Sequence, residues 1–455
     1  GAEIMALNPR GGVIASISAT RSALITENGR LTRAMGQALM RRDDTGLMLP
    51  IGEIMRTAKN AIRTTNGGSD NRTRYSLLGD PAMRLVLPSN RVVLESINGE
   101  AVTPQTQVTI MARQTITARG YVADHTGSRI SDFNGSLMLN IHDAEYSTTS
   151  TGIFADDTEG KPVTFDEQGS LLYSGRTQVV NGEWELTLTM PSEVTHNFRP
   201  AAMNLYATSN NSEKDAIGCN RDFFVYGFDT SAAPDTLAPV VEYAYLNHPS
   251  FTNGGTVNEE PMFMARVRDD VGINLSSAGV GHQMTLKLDD NRSYSDVSLY
   301  YTPASDGSPA GTINYPLPTL SNGTHTLTLR VWDTSGNSTS HTLDFFVKEG
   351  ARPQVFDIYT DVNPAVTAAN FYISHDRPDA LASVTLSIYD MMGRLVWSAA
   401  DTDRSNLSAT APITWNLTDL GGNRVPRGIY LYRATVKIDG EEITSEAKRI
   451  AVTGR

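Results

Sequence analysis

One cysteine occurs among the 455 residues, so thiol chemistry in this chain would have to begin at Cys219. A thiol nucleophile works with a neighbouring base, and the histidines that flank it most closely in sequence are His196 and His248. Neither has the spacing or local context of a catalytic pair. Cys219 itself lies in the strand-like run IGCNRDFFVYGF. We therefore interpret it as a small core residue.

Acidic residues offer a second kind of chemistry, because carboxylate oxygens are the ligands that calcium prefers. None of the acidic groups fits the twelve-residue calcium loop with its central glycine and final glutamate. We interpret them as solvated turns and predict neither a metal site nor a cofactor. The groups are Asp156, Asp157 and Glu159, then Asp269 with Asp270, then Asp289 with Asp290.

The remaining candidate groups stand alone in the sequence. His142 beside Asp143 has no second ligand at a suitable spacing, and the same holds for His282. Trp332 and Trp397 are interpreted as core anchors rather than as a ligand platform. The sequence therefore predicts no catalytic constellation within this chain.

Residues 1–88 read as the closing portion of an α/β layered domain. The run Gly11–Ala19 is rich in small and β-branched residues, as in a buried parallel strand. Asp80 and Pro81 have the residue types of a cap and a first turn. Because a domain rarely begins at a central strand, we expect a longer parent chain. Two helix faces follow the strand: Leu31, Ala34, Met35, Ala38, Leu39, and Ile51, Ile54, Met55, Ala58, Ala61, Ile62.

Residues 89–233 are predicted to form a β-rich domain. Hairpin turn signals recur at Asn98-Gly99, Asn134-Gly135 and Asn181-Gly182. A polar, acidic stretch over 147–169 indicates a long loop or a flap that contacts a partner. A strand with one buried face is predicted from the alternation of Trp184, Leu186, Leu188 and Met190.

Residues 234–349 are predicted to form an immunoglobulin-like β-sandwich. The segment PDTLAP, Pro234–Pro239, reads as the linker that precedes it. Tyr315–Asn337 is predicted as its clearest hairpin, with a turn at Asn322-Gly323. Leu327, Leu329 and Val331 alternate along the second arm of that hairpin.

Residues 350–455 are predicted to form a small antiparallel sandwich, after a linker at Gly350–Pro353. Val384, Leu386 and Ile388 alternate up to a turn at Asp390–Gly393. The last strand is Lys448–Val452. The predicted fold class is thus mainly β: the end of an α/β domain, then two immunoglobulin-like β-sandwich domains, then the C-terminal β-sandwich.

Composition narrows the range of partners. The formal net charge is −12, which argues against a nucleic-acid partner because a phosphate backbone needs a basic face. A single cysteine cannot form an internal disulfide, so stability must come from packed cores. No run of about 18 apolar residues is present, so no helical membrane span is predicted.

An ordered set of motifs near the C-terminus resembles the sorting domain of type IX secretion cargo. The set is Asn363-Pro364, V-x-L-x-I-Y-D-x-x-G-R at 384–394, W-N-L at 415–417 and GGNRVPRGIYLY at 421–432, followed by the last strand. In that family the domain carries the chain through the outer membrane of a diderm bacterium. The resemblance therefore implies a cell-surface location in association with the outer membrane.

A second resemblance involves the N-terminal region. ALNPRGGVIASISATR at 6–21 and LLGDPAMRL at 77–85 resemble the end of the catalytic domain of gingipain-type cysteine peptidases. The family fold is caspase-like, and its chemistry uses a Cys and a His that each follow a sheet strand. No histidine precedes His125 and no cysteine precedes Cys219. The family's catalytic residues therefore match none here and are expected upstream of Gly1.

Together the resemblances imply the C-terminal portion of a sortase that cleaves sorting domains from type IX cargo and joins the cargo to anionic lipopolysaccharide. The implied partners are the outer-membrane barrel PorV, in a complex with PorQ and PorZ. A terminal strand with one free edge can add to a partner. The alternatives are that this strand only completes its own sandwich, and that the chain is a non-catalytic surface adhesin. The predicted partner-binding residues are Lys448, Arg449, Ile450, Ala451 and Val452.

Overall fold

The computed structural model describes most of the chain, and the fold is mainly β, as predicted. It forms two compact units, one over 1–188, 195–227 and 305–307, the other over 189–194, 228–304 and 308–455. The candidate residues Asp156, Asp157, Glu159, His196 and Asp290 lie outside the described residues. None of the described helices is long and apolar enough to cross a membrane. The described residues are 2–8, 13–23, 25–62, 71–150, 162–195, 197–276, 281–289, 292–294, 297–405 and 407–453.

The N-terminal region packs two amphipathic helices against each other. Their spacing of apolar residues predicts the contact, and the buried face is Leu31, Ala34, Ala38, Ile54, Ala58 and Ile62. The predicted turn after the second helix is also present, since Asp80 Oδ1 accepts the backbone N–H of Ala82 at 2.9 Å. The elements are α1 (Ala2–Ala6), β1 (Ser16–Ala19), α2 (Ile25–Leu39), α3 (Ile51–Ala61), a 3₁₀ turn (Asn71–Thr73) and β2 (Tyr75–Leu78).

The prediction of a buried parallel strand in this region is wrong. Strand β1 pairs with β2 in antiparallel register, with Ser16 opposite Leu78 and Ala19 opposite Tyr75. Its side chains are half-buried or exposed. Within the part of the chain that the structure describes, β2 is its one strand partner. Small and β-branched residues suit a strand in either setting, so composition alone did not specify the neighbour.

The first β domain is built on an eight-stranded sheet in the order β13-β12-β7-β10-β11-β6-β3-β4. Two smaller pairs accompany it, β14 with β5 and β8 with β9. The predicted long loop over 147–169 therefore contains part of a hairpin. The strands are β3 (Asn90–Ile97), β4 (Glu100–Ala101), β5 (Val108–Ala112), β6 (Thr115–Ala123), β7 (Gly135–His142), β8 (Tyr146–Thr149), β9 (Thr164–Glu167), β10 (Leu171–Val180), β11 (Glu183–Thr189), β12 (Ala202–Ser209), β13 (Asp215–Asn220) and β14 (Phe223–Phe228).

Strand β13 closes this sheet, because it also pairs in parallel with β3. Gly218 allows the close approach. A Cβ at this position would lie 2.0 Å from the carbonyl oxygen of Val92 on β3. Only a residue without a side chain leaves room for that backbone contact.

Two of the three predicted Asn-Gly hairpin turns are confirmed. Asn98-Gly99 and Asn181-Gly182 have positive φ at both residues, as a type I′ turn requires. The third pair behaves differently, since Gly135 begins β7 and faces the carbonyl of Thr208. The predicted alternation after the Asn181-Gly182 turn is also confirmed, because the side chains there are all buried: Trp184, Leu186, Leu188 and Met190.

The second β domain has two sheets, in the orders β15-β17-β21-β20 and β16-β23-β22-β18-β19. Leu327, Leu329 and Val331 are buried as predicted. The elements are β15 (Val240–Leu246), β16 (Thr256–Val257), β17 (Met262–Arg268), β18 (Thr285–Leu288), β19 (Arg292–Tyr294), a 3₁₀ turn (Val297–Tyr300), β20 (Tyr301–Pro303), β21 (Ala310–Pro316), β22 (Gly323–Trp332) and β23 (Ser338–Val347).

The predicted hairpin over 315–337 is wrong. Strand β21 pairs with β17 and β20, whereas β22 pairs with β18 and β23 in the other sheet. The Asn322-Gly323 segment therefore connects two sheets rather than two paired strands. Alternation identified the strands but carried no information about their partners.

The last domain encloses one core between two sheets, β24-β25-β28 and β27-β26-β29 with both β30 and β31 on β29. Its largest buried side chains include Phe371 and Trp415. The strands are β24 (Val355–Thr360), β25 (Ala369–His375), β26 (Leu381–Tyr389), β27 (Leu395–Arg404), β28 (Ile413–Trp415), β29 (Gly428–Ile438), β30 (Glu441–Thr444) and β31 (Lys448–Val452).

Closure of the first β domain can be tested at Gly218. We expect Gly218→Ala to destabilise that domain by about 1–3 kcal/mol, because the methyl group overlaps the Val92 carbonyl. Gly36→Ala is the matched control: this glycine is exposed in α2 with open space around it, so the change should stabilise by up to about 1 kcal/mol. Urea unfolding of both variants provides the measurement. Equal midpoints for Gly218→Ala and the wild type would contradict the closure.

Candidate functional sites

The predicted partner-binding strand is part of the core of its own domain. Strand β31 lies antiparallel to β29, with Tyr430 opposite Ile450 and Gly428 opposite Val452. Ile450 and Val452 are both buried between the two sheets. Two of the five predicted partner-binding side chains therefore point inward.

The prediction that the other edge of this strand is free is wrong. The backbone N–H of Ala365 donates to the carbonyl of Ala451 at 2.8 Å, and Asn363 Oδ1 accepts the Ala451 N–H at 3.0 Å. Asn363 Nδ2 also donates to the carbonyl of Arg449 at 3.1 Å. The segment that begins with the Asn-Pro motif thus covers this edge, because buried backbone groups need partners.

The side chains of β31 leave one group available to a partner. Lys448 forms an ion pair with Asp357 on β24. Arg449 is exposed, and its neighbour across the strand pair is Leu431. Arg449 is therefore the member of the predicted set that can contact a partner through its charge.

Two aspartates in the motif region of this domain organise turns. Asp390 Oδ1 accepts the N–H groups of Met392 and Arg394, and its Oδ2 pairs with the Arg394 guanidinium at 2.7 Å. These contacts lower the pKa of Asp390, with the Arg394 backbone N–H as the largest cause. Asp419 binds the N–H groups of Gly421 and Asn423 in the same way. The two turns border one shallow pocket of about 530 Å³ that Leu420 and Tyr430 also line.

Cys219 is exposed, so its interpretation as a core residue is wrong. Strand β13 alternates, and Ala216 faces inward while Ile217 and Cys219 face outward. Cys219 borders a pocket of about 620 Å³ together with Asn204 and Arg91. Among the described residues that line this pocket there is no histidine. The described residues that line the pocket therefore offer the Cys219 thiol no imidazole base.

The single histidines occupy structural positions. His142 Nδ1 lies 3.3 Å from the carbonyl oxygen of Gly169, and burial lowers its pKa. His282 pairs with Glu193 at 2.5 Å and packs on Trp332. Trp397 packs against the core of the last domain, as an anchor should.

His248 connects the second β domain to the last one. Its ring stacks on Phe356 at 4.0 Å between centroids, and its Nε2 lies 2.7 Å from Ser374 Oγ. His375 follows Ser374 on β25 and is fully buried. Its Nδ1 accepts the backbone N–H of Arg377 at 3.1 Å. Burial, His248 and Arg377 together lower the pKa of His375 to about 4.

One group of predicted aspartates gathers with a residue that the sequence analysis missed. Asp269 and Asp270 follow β17, and Asp235 comes from the linker before β15; one carboxylate oxygen from each lies within 4.8 Å of the others. Asp289 has a different role, since it binds His325 and the N–H of Thr326. Asp235 could not be predicted, because more than 30 residues separate it from the others in sequence.

Burial dominates the electrostatics of this aspartate group. The pKa of Asp269 is raised to about 6, mainly by burial and further by the charges of Asp333 and Asp270. The pKa of Asp333 is raised as well, again by burial first. Asp333 accepts the N–H groups of Ser335 and Asn337, each at 2.8 Å. Carboxyl groups therefore gather at the ends of β17 and β22, where burial disfavours the charged forms of Asp269 and Asp333.

Comparison with known proteins relates the chain to a peptidase family. Residues 1–86 match the sequence profile of peptidase family C25. The chain is similar to dimeric latent PorU from Porphyromonas gingivalis, with 30% identity, a TM-score of 0.38, and coverage of 92% of this chain and 39% of that chain. It thus spans less than half the length of that protein. These findings confirm the resemblance to gingipain-type cysteine peptidases.

Two adhesin structures also match, at lower identity. A tetra-tandem repeat from the extending region of a large adhesion protein is 14% identical, with a TM-score of 0.19 and coverage of 80% of this chain and 74% of that chain. A 1.5-MDa bacterial ice-binding adhesin is 11% identical, with a TM-score of 0.17 and coverage of 81% and 99%. Among curated proteins, none matches this chain.

The buried histidine predicts a pH dependence of stability. The pKa of His375 is lower in the folded state, about 4, than the 6.5 of a free histidine. Between these values the unfolded chain binds more protons, so stability is complete above pH 6.5 and falls as the pH drops towards 4. We expect His375 to account for a loss on the order of 2–3 kcal/mol over this range.

His375→Asn should make the unfolding free energy less dependent on pH over that range, since Asn Oδ1 can accept the same N–H without titrating. The measurement is the urea midpoint at several pH values, followed by tryptophan fluorescence. His341→Asn is the control, because solvent still reaches this half-buried ring. An unchanged pH dependence in His375→Asn would rule out this origin.

Proposed function

Because residues 1–86 relate this chain to peptidase family C25, we propose that it is the scaffold and anchor of a cell-surface sortase. Such a sortase cleaves C-terminal sorting domains from type IX secretion cargo. A cysteine thiolate attacks the scissile carbonyl and releases the sorting domain as the amine leaving group. An amine of anionic lipopolysaccharide then attacks the thioester and frees the thiolate. In this proposal the chemistry belongs to residues outside the present 455.

One observation carries the proposal of a non-catalytic role. The segment that matches the peptidase family contains neither cysteine nor histidine. The sole thiol, Cys219, lies on a strand of the following β domain, beside a pocket without a histidine among its described residues. A cysteine peptidase needs both groups in contact, so this part of the molecule supports a reaction rather than performs it.

Anchoring is proposed for the outer face of the last domain. Strands β29 and β31 expose alternate residues there, because Tyr430 and Ile450 point to the core. Ile429, which is 51% exposed, lies opposite Ala451 in the register. With Arg449 beside them, these side chains form an apolar patch with one positive charge. We propose that this patch contacts the outer-membrane barrel PorV, in a complex with PorQ and PorZ.

Charge reversal at Arg449 tests the anchoring role. We expect Arg449→Glu to leave the domain folded, because the side chain is exposed. The variant should lose co-purification with the barrel when it is expressed in a bacterium with type IX secretion, and it should shift from the cell surface to the medium. Loss of one well-placed contact costs about 2 kcal/mol, or some 30-fold in affinity.

Arg404→Glu provides the matched control for this experiment. Arg404 ends β27, the strand at the opposite edge of the same sheet, and it is also exposed. The same charge change there should preserve surface location and co-purification. If Arg449→Glu behaves like Arg404→Glu, the patch beside β31 is not the anchor.

A further inference from the structure

Three carboxylates meet at one end of the second β domain. Asp269 and Asp270 follow the last residue of β17, and Asp235 reaches the same place from the segment before β15. One oxygen of each lies within 4.8 Å of the others. That separation is the span over which oxygens surround one calcium ion, since Ca–O distances are about 2.3–2.6 Å.

One carboxylate oxygen of Asp269 has hydrogen-bond partners and the other has none, which points to a missing ligand. Its Oδ1 accepts the N–H groups of Val271 and Gly272, at 2.9 Å and 3.1 Å. Its Oδ2 is buried and has no hydrogen-bond partner. The whole residue is only 4% exposed. A buried carboxylate oxygen without a partner is costly unless a cation binds it.

Protein cations do not supply that partner. Within the described ranges, no ion pair involves Asp235, Asp269 or Asp270. The nearby basic residues Arg266 and Arg268 both bind Glu242 instead. The carboxylates therefore gather without a positive group among the described residues to balance them.

The neighbouring turn adds a fourth carboxyl group, that of Asp333. Asp333 is 1% exposed and satisfies its own oxygens with backbone N–H groups and the side chain of Asn337. Asn337 also donates to Asp235 Oδ2 at 3.3 Å. Asn337 thus holds Asp235 close to the buried aspartates, although like charges repel.

We propose that Asp235, Asp269 and Asp270 bind a calcium ion. All three ligands are oxygens, and the group contains no histidine or cysteine, so a hard cation is favoured over zinc or copper. The ion neutralises the group and gives Asp269 Oδ2 its missing partner. It also ties the linker at Pro234–Pro239 to the end of β17. This inference stands apart from the sortase proposal, because it involves only residues of this domain.

The proposal is tested with the full chain after dialysis against a chelator. Titration with CaCl₂ in a calorimeter should show one site, and saturating calcium should raise the unfolding temperature by roughly 5 °C or more at a hundredfold excess over Kd. Asp269→Asn keeps the acceptor for the two N–H groups but should lose both effects. If this variant fails to fold, Asp270→Asn, at an exposed position, should lose them instead.

Asp344→Asn is the matched control. Asp344 is an exposed carboxylate on β23 of the same domain and lies outside the group. It should keep the heat of binding and the thermal shift. Cleavage of the Pro234–Pro239 segment by protease should also slow with calcium in the wild type and in Asp344→Asn, but not in Asp269→Asn. The proposal is overturned if up to about 5 mM CaCl₂ gives neither effect, or if the Asp269 and Asp270 variants keep both.

Discussion

Backbone hydrogen bonds along both edges of β31 fix this strand within the C-terminal domain. The proposed mode of anchoring depends on them. One edge pairs with β29, and the other is covered by Asn363 and Ala365. Because the buried side chains of Ile450 and Val452 fill the core, the strand is fixed in place rather than offered as a spare edge. In the proposed anchoring, the partner therefore contacts the outward face of the sheet. This constraint changes the proposed mode of anchoring from strand addition to contact through side chains.

The surroundings of Cys219 bear on the proposal that this chain has a supporting role. A cysteine nucleophile needs a base in contact, and the exposed Cys219 borders a pocket whose described residues include no histidine. The N-terminal helices that match family C25 bury an apolar face of small and aliphatic residues. Their role here is packing. The family relationship therefore describes the origin of residues 1–86, whereas function in this chain is proposed for the β domains.

Local patterns in the sequence predicted local structure well. The alternation of Trp184 to Met190 and the helix face around Ile54 are confirmed, because side-chain periodicity reports which face is buried. Contacts between residues far apart in the sequence were not predicted. The sequence did not indicate that β21 and β22 lie in different sheets, or that Asp235 meets Asp269. Such contacts depend on the path of the whole chain, which periodicity does not encode.

In the proposed function, this chain supports a sortase without performing its chemistry. The direct measurement is intact-mass analysis after incubating the purified chain with a cargo protein that carries its sorting domain, in the presence of an amine acceptor. We expect the cargo to keep its full mass, both with the wild type and with Cys219→Ala. Release of the sorting domain by the wild type, abolished in Cys219→Ala, would contradict the non-catalytic role and make Cys219 a nucleophile.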